Sequence, residues 1–131
     1  LPDTSPIIHV VDDDPAVCRA LKRLLRSWGM QVRTFKSGEE FLAAQAGGQR
    51  ADCSVVDVHM PGLNGLEVQE RLKRAGLDLP VIFITAHDEA DIAVRGLRGG
   101  AAGFLQKPFS DEALVELIRS ALARRVRPDG V

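Results

Sequence analysis

Ile7-Ile8-His9-Val10-Val11-Asp12-Asp13-Asp14-Pro15 begins as a strand-forming run and ends on three acids and a proline. The β-branched residues predict a short buried strand. Asp14 before Pro15 marks a helix start, an N-cap carboxylate followed by the residue that lacks an N–H where none is needed. A strand that passes almost directly into a helix is one β-α unit, and the chain repeats that unit. Val17, Leu21, Leu24, Leu25 and Trp28 recur at helical spacing, with Gly29 placed as a C-cap. Gln31 to Phe35 alternates polar and apolar, as a strand does. Ser37 and Glu40 have capping-box spacing ahead of a helix carrying Phe41 and Leu42, which Gly47-Gly48 closes.

Cys53-Ser54-Val55-Val56 reads as the third strand, ending at Asp57. The turn-rich loop Met60-Pro61-Gly62-Leu63-Asn64-Gly65 leads to a helix from about Leu66 to Ala75, with Gly76 behind it. Val81-Ile82-Phe83-Ile84 is continuously apolar, the pattern of a strand covered on both faces. Asp91 is expected to cap a fourth helix that runs to about Arg98 and stops at Gly99-Gly100. Gly103-Phe104-Leu105-Gln106 is a short fifth strand. Ser110 caps the last helix, whose first turn holds Asp111 and Glu112 and whose apolar stripe is Leu114, Leu117, Ile118, Ala121 and Leu122.

Five β-α units predict an α/β fold, a doubly wound, flavodoxin-like (βα)5 sandwich with a five-stranded parallel sheet in order 2-1-3-4-5. One domain is expected over residues 7–125, with an N-terminal tail at 1–6 and a C-terminal tail or linker start at 126–131. The 131 residues suffice for a core without disulfides or a structural metal. With 17 Lys and Arg against 18 Asp and Glu, the chain as a whole is not a basic nucleic-acid binder. Neither half is a charged tail, and no run is long enough to span a membrane. Cys18 and Cys53 have neither zinc nor C-x-x-C spacing and read as small buried hydrophobes. A soluble, cytoplasmic domain is expected. The first residue is Leu1 rather than Met, as in a trimmed chain or a piece of a longer protein.

In an open parallel sheet, ligands bind beyond the carboxyl ends of the strands, where strand order reverses. Here strand one ends in Asp12-Asp13-Asp14, strand three in Asp57, strand four in Thr85-Ala86 and strand five in Lys107-Pro108. Crowded carboxylates repel unless a cation sits among them, and a hard oxygen set suits Mg²⁺. A carboxylate beside Mg²⁺ and a lysine can attack phosphorus to form an acyl phosphate. The pattern points to phosphoryl chemistry on an aspartate.

Val10-Val11-Asp12-Asp13, Val56-Asp57, Met60-Pro61-Gly62, Ile84-Thr85-Ala86 and Lys107-Pro108-Phe109 resemble, in order and spacing, the receiver domain of two-component response regulators. The last of these, with Phe104 and His87, is most similar to the FixJ-like branch, whose members usually carry a DNA-binding output domain. The resemblance implies that Asp57 is the phosphoacceptor, supplied by a sensor histidine kinase. It implies Mg²⁺ (or Mn²⁺) on Asp13, Asp57 and the His59 carbonyl, with Asp12 acting through water. Thr85, Lys107 and the backbone N–H groups of Val58 and Ala86 are implied to hold the phosphoryl oxygens. Phe104 is the implied switch aromatic, and the peptide before Pro108 is implied to be cis. His59 and His87 occupy positions that flank the phosphoryl group in similar domains, where their side chains would tune hydrolysis.

The resemblance further implies a switch rather than an enzyme, with output through helix four, strand five and helix five, and a homodimer there on phosphorylation. This domain itself is expected to bind no nucleic acid. DNA contact would belong to an output domain that does not fit in these residues. Asp14 reads as an N-cap and no more. The Arg124-Arg125-Val126-Arg127 run complements the last helix's dipole. The rival reading is a Mg²⁺-dependent phosphatase of the haloacid-dehalogenase type. That family needs Asp-x-Asp on its first strand and a cap insertion, and this chain has adjacent aspartates and no such insertion. A flavodoxin-like cofactor binder would need a phosphate loop where three acids stand.

Overall fold

The computed structural model describes residues 4–86 and 89–125. The expected elements all form: β1 (Ile7–Val11), α1 (Pro15–Ser27), β2 (Gln31–Phe35), α2 (Gly38–Ala46), β3 (Cys53–Asp57), α3 (Gly65–Arg74), β4 (Val81–Thr85), α4 (Ala90–Arg98), β5 (Gly103–Gln106) and α5 (Asp111–Arg125). The five strands form one parallel sheet in order β2-β1-β3-β4-β5. Residues 1–3 and 126–131 of the expected tails lie outside the described residues. The remainder of the N-terminal tail is tied down, because the Pro6 carbonyl accepts the Gln31 N–H at 2.9 Å and the Ser5 carbonyl accepts Gln31 Nε2 at 3.0 Å.

Alternation along the strands divides the core into two layers. Ile8, Val10, Cys53, Val55, Ile82 and Ile84 point to one face, where Leu21 and Leu25 of α1 and Leu114 and Ile118 of α5 cover them. Val11, Val56 and Phe83 point to the other, against Phe41 of α2 and Val68 and Leu72 of α3. β3 and β4 are buried along their whole length, as their apolar runs require. Both cysteines are buried free thiols. Among the described residues, no helix is long and apolar enough to cross a membrane.

The caps show where local reading holds. Asp14 Oδ1 accepts the Ala16 N–H at 2.9 Å, and Ser110 Oγ accepts the Ala113 N–H at 3.1 Å. Ser37 Oγ takes the Glu40 N–H at 3.1 Å. The reciprocal capping box forms instead at α3, between Asn64 and Glu67. Asp91 is not a cap: α4 starts two residues earlier, with Glu89 as N-cap and Asp91 inside the first turn. Trp28 does not belong to the buried stripe of α1. It is 41% exposed, with the Arg119 guanidinium 4.9 Å above its ring.

Candidate functional site

The carboxyl edge of the sheet gathers the acids. Asp12 continues β1 and is held by the Phe35 carbonyl, which accepts its N–H at 3.0 Å. Asp57 is the last residue of β3, next to β1 in the sheet. Asp12 and Asp57 are buried while Asp13 is exposed, and one carboxylate oxygen from each lies within 4.8 Å of the others. Lys107, just past β5, reaches back so that Nζ is 3.1 Å from Asp12 Oδ2. The second Asp12 oxygen accepts the Asp14 N–H at 2.9 Å, so both oxygens of this buried group are engaged. The Lys107 N–H donates to the Thr85 carbonyl at 2.7 Å, which ties the end of β5 to the end of β4. The Lys107–Pro108 peptide bond is cis.

Asp57 is the electrostatically exposed member of this set. Its carboxyl is pushed up to about 6, chiefly by burial and next by the Asp12 charge. Lys107 and the His59 N–H oppose the shift, and Asp13 adds to it. The His59 N–H approaches Asp57 Oδ1 at 3.4 Å. With Lys107 drawn to Asp12, the acids at this edge remain short of positive charge. Three oxygen donors at this spacing, one exposed and one raised above its ordinary range, fit a hard divalent cation that brings its own waters.

Thr85 ends β4 and is fully buried, and Ala86 follows it on the rim. Phe104 sits beside Phe83 across the β4–β5 pair, ring centroids 6.5 Å apart, partly buried against the α2–α3–α4 layer. The Val58 N–H is not available as an oxyanion donor. It continues the sheet ladder, donating to the Ile84 carbonyl at 2.9 Å, and the backbone N–H offered to the Asp57 carboxylate is that of His59. His87 lies outside the described residues.

Two residues at this edge carry no sequence signal. Glu89, the N-cap of α4, has Oε1 2.6 Å from His59 Nε2. Gly65, the first residue of α3, lies so close that an added Cβ would be 2.9 Å from the Asp57 carbonyl oxygen. Both depend on which loops meet over the sheet, and no local pattern reports that.

The sequence matches the response regulator receiver domain family over residues 8–119. The chain belongs to that family. This receiver is 42% identical to the response regulator protein TmoT of Ectopseudomonas mendocina, over 92% of this chain and 54% of that protein. It is 41% identical to the transcriptional regulatory protein FixJ of Azorhizobium caulinodans, over 95% of this chain and 58% of that protein. The receiver thus spans about half the length of the curated relatives it matches. The crystal structure of FixJ-N superposes with a TM-score of 0.87 at 33% identity, covering 95% of this chain and 99% of that one. Similarity to TmoT and to FixJ is nearly equal, so it does not single out the FixJ-like branch. The family match and the β1 end, with adjacent aspartates passing straight into α1, leave the haloacid-dehalogenase reading without support.

Proposed function

We propose that this receiver is a phosphorylation-activated switch of a two-component system, with Asp57 as phosphoacceptor. The observation that carries the reading is the convergence of Asp12, Asp13, Asp57, Thr85 and Lys107 from four strand ends on one edge of the sheet. The donor is a phosphohistidine of a sensor histidine kinase. An Asp57 carboxylate oxygen forms the new O–P bond as the P–N bond breaks, and the imidazole leaves with a proton from solvent. Asp13, Asp57 and the His59 carbonyl would hold Mg²⁺ or Mn²⁺, with Asp12 acting through water. When bound, the ion supplies neutralising charge for the phosphoryl oxygens. The chain's own donors do the rest. Lys107 exchanges Asp12 for a phosphoryl oxygen, while the Thr85 hydroxyl and the Ala86 and His59 N–H groups hold the others.

Thr85 moving toward the phosphate opens room for Phe104 to turn inward, and the α4–β5–α5 surface changes with it. That surface controls a partner, a second copy, or a DNA-binding output domain in a longer protein of FixJ-like type. The domain at 7–125 is the switching unit, works in the cytoplasm and turns over no metabolite of its own. Hydrolysis of the acyl phosphate is tuned by His59 and His87.

Intact mass tests this. With Mg²⁺ and acetyl phosphate, one phosphoryl group is expected on the wild type and none on Asp57→Asn or without metal. A group gained equally by Asp57→Asn would overturn the assignment. The decay phase of the same assay reads the histidines, and an unchanged rate in the His59→Ala, His87→Ala double variant would remove them.

A further inference from the structure

The contact between His59 and Glu89 joins two places that the sequence keeps thirty residues apart. One residue, His59, has its N–H at the Asp57 carboxylate and its imidazole Nε2 2.6 Å from Glu89 Oε1. A carboxylate accepts, so Nε2 carries the proton and donates, whichever charge the ring has. Glu89 is the N-cap of α4, yet its side chain makes no capping bond to that helix. Its carboxylate is committed to His59 instead.

The start of α4 is thinly anchored by its own residues. The only buried residue of the helix is Gly96, which lies against the Phe83 ring, where an added Cβ would be 2.9 Å from two ring carbons. Gln69 Nε2 donates to the Gly96 carbonyl at 2.9 Å. Both anchors grip the second half of the helix. Val94 and Leu97 are exposed, and the first turn has no side-chain cap and only the partly buried Ile92 against the core. A helix end with orphan N–H groups, no side-chain cap and a single partly buried side chain frays readily.

We propose that the His59–Glu89 contact is a positioning latch that holds the start of α4 and passes the state of Asp57 to it. The proposal rests on the reading of Asp57 as phosphoacceptor. Acyl phosphate formation replaces the single carboxylate charge of Asp57 with up to about two and adds strong acceptor oxygens beside the His59 backbone. These compete for the His59 donors and repel the Glu89 carboxylate. The latch then opens and the first turn of α4 loosens, while Gln69 and Phe83 keep the second half in place.

Amide hydrogen exchange in the full chain tests the idea, because the Ala93 N–H donates to the Glu89 carbonyl at 3.0 Å and reports the first turn directly. Before phosphorylation, Glu89→Ala is expected to speed exchange at Ala93 and Val94 about tenfold. Glu89→Gln keeps an acceptor for Nε2–H and should stay near the wild type, which a loss of general stability would not reproduce. After acetyl phosphate, with occupancy read by mass, the wild-type first turn should approach the Glu89→Ala rate and Glu89→Ala should change little. Equal exchange in Glu89→Ala and wild type overturns the latch. A phosphorylated wild type with unchanged α4 exchange overturns the relay. If the wild type takes no phosphoryl group, the acceptor reading fails and the relay falls with it, while the first comparison still decides the latch.

Discussion

His9 is a titratable ring in the middle of an apolar strand. It is fully buried, 5.0 Å from the Phe35 ring and 5.9 Å from that of Phe41, centroid to centroid. The Gln45 amide donates to Nδ1 at 2.8 Å, so Nε2 carries the ring's proton and has no partner. Burial, and then the Arg33 charge, lower its pKa from 6.5 to about 4, against a smaller opposing effect of Asp52. The unfolded chain takes up this proton first. The stability His9 contributes is therefore complete above pH 6.5 and lost as pH falls toward 4. By pH 4.5 the loss should reach about 2 kcal/mol. Asp57, whose shift is upward, runs the opposite way over part of that range. The measurement is thus a difference: urea unfolding of wild type against His9→Leu, at pH 7.5 and at pH 4.5. The variant should lose less stability on acidification, and parallel losses would show that folding leaves the His9 pKa where it is in the unfolded chain.

At the scale of elements, strand ends carried most of what the sequence could say. Val55-Val56 gives way to Asp57 in β3 and Val10-Val11 to Asp12 after β1, so the change from apolar to acidic marks both the end of the strand and the start of the site. Strand order follows from five β-α units, which makes neighbours of residues forty-five positions apart. Helix ends were harder to read. Asp91 looked like the cap of α4 because acids favour both the cap and the first turn. Trp28 fits the helical period but is the C-cap of α1, past the last helical residue, and is exposed while Leu25 one turn earlier is buried. Loop-to-loop contacts such as His59 with Glu89 have no period and were invisible. Gly65 was read only as part of a turn, and its role is steric. A Cβ there would be 2.9 Å from the Asp57 carbonyl oxygen, 3.0 Å from Val58 Cα and 3.1 Å from the Phe83 ring. Two of these neighbours are backbone and cannot step aside. Gly65→Ala should cost about 2 kcal/mol and slow phosphorylation by displacing Asp57. Asn64→Ala, which removes only the α3 cap bonded at 2.9 Å, should cost about 1 kcal/mol and leave the phosphorylation rate nearly unchanged. Chemical denaturation with the mass assay separates the two, and similar effects from both variants would refute the steric account.

Across the whole molecule, folding itself works against the site. The parallel sheet brings Asp12, Asp13 and Asp57 together on one edge, and folding raises the Asp57 carboxyl from 3.8 to about 6. For an acid with a raised pKa, the contribution to stability is full below 3.8 and disappears as pH rises through 6. At pH 7.5 the native state therefore carries an unrelieved charge, a penalty of about 1–3 kcal/mol. In metal-free buffer, Asp57→Asn should be more stable than wild type by that amount, with the advantage gone below pH 4. A divalent cation bound among these carboxylates would relieve the same strain from outside. Mg²⁺ at a hundredfold excess over its dissociation constant should stabilise the wild type by about 2.7 kcal/mol. Asp57→Asn should gain less, having lost a ligand and the charge that attracts the ion. Below pH 6 the proton and the ion compete for one carboxylate, so apparent Mg²⁺ affinity should fall by up to about tenfold per pH unit. Thermal unfolding across a Mg²⁺ titration at pH 5, 6 and 7.5 measures all three effects. A wild type that Mg²⁺ does not stabilise, or stabilises equally at each pH, would mean that Asp57 is not where cation, proton and fold meet.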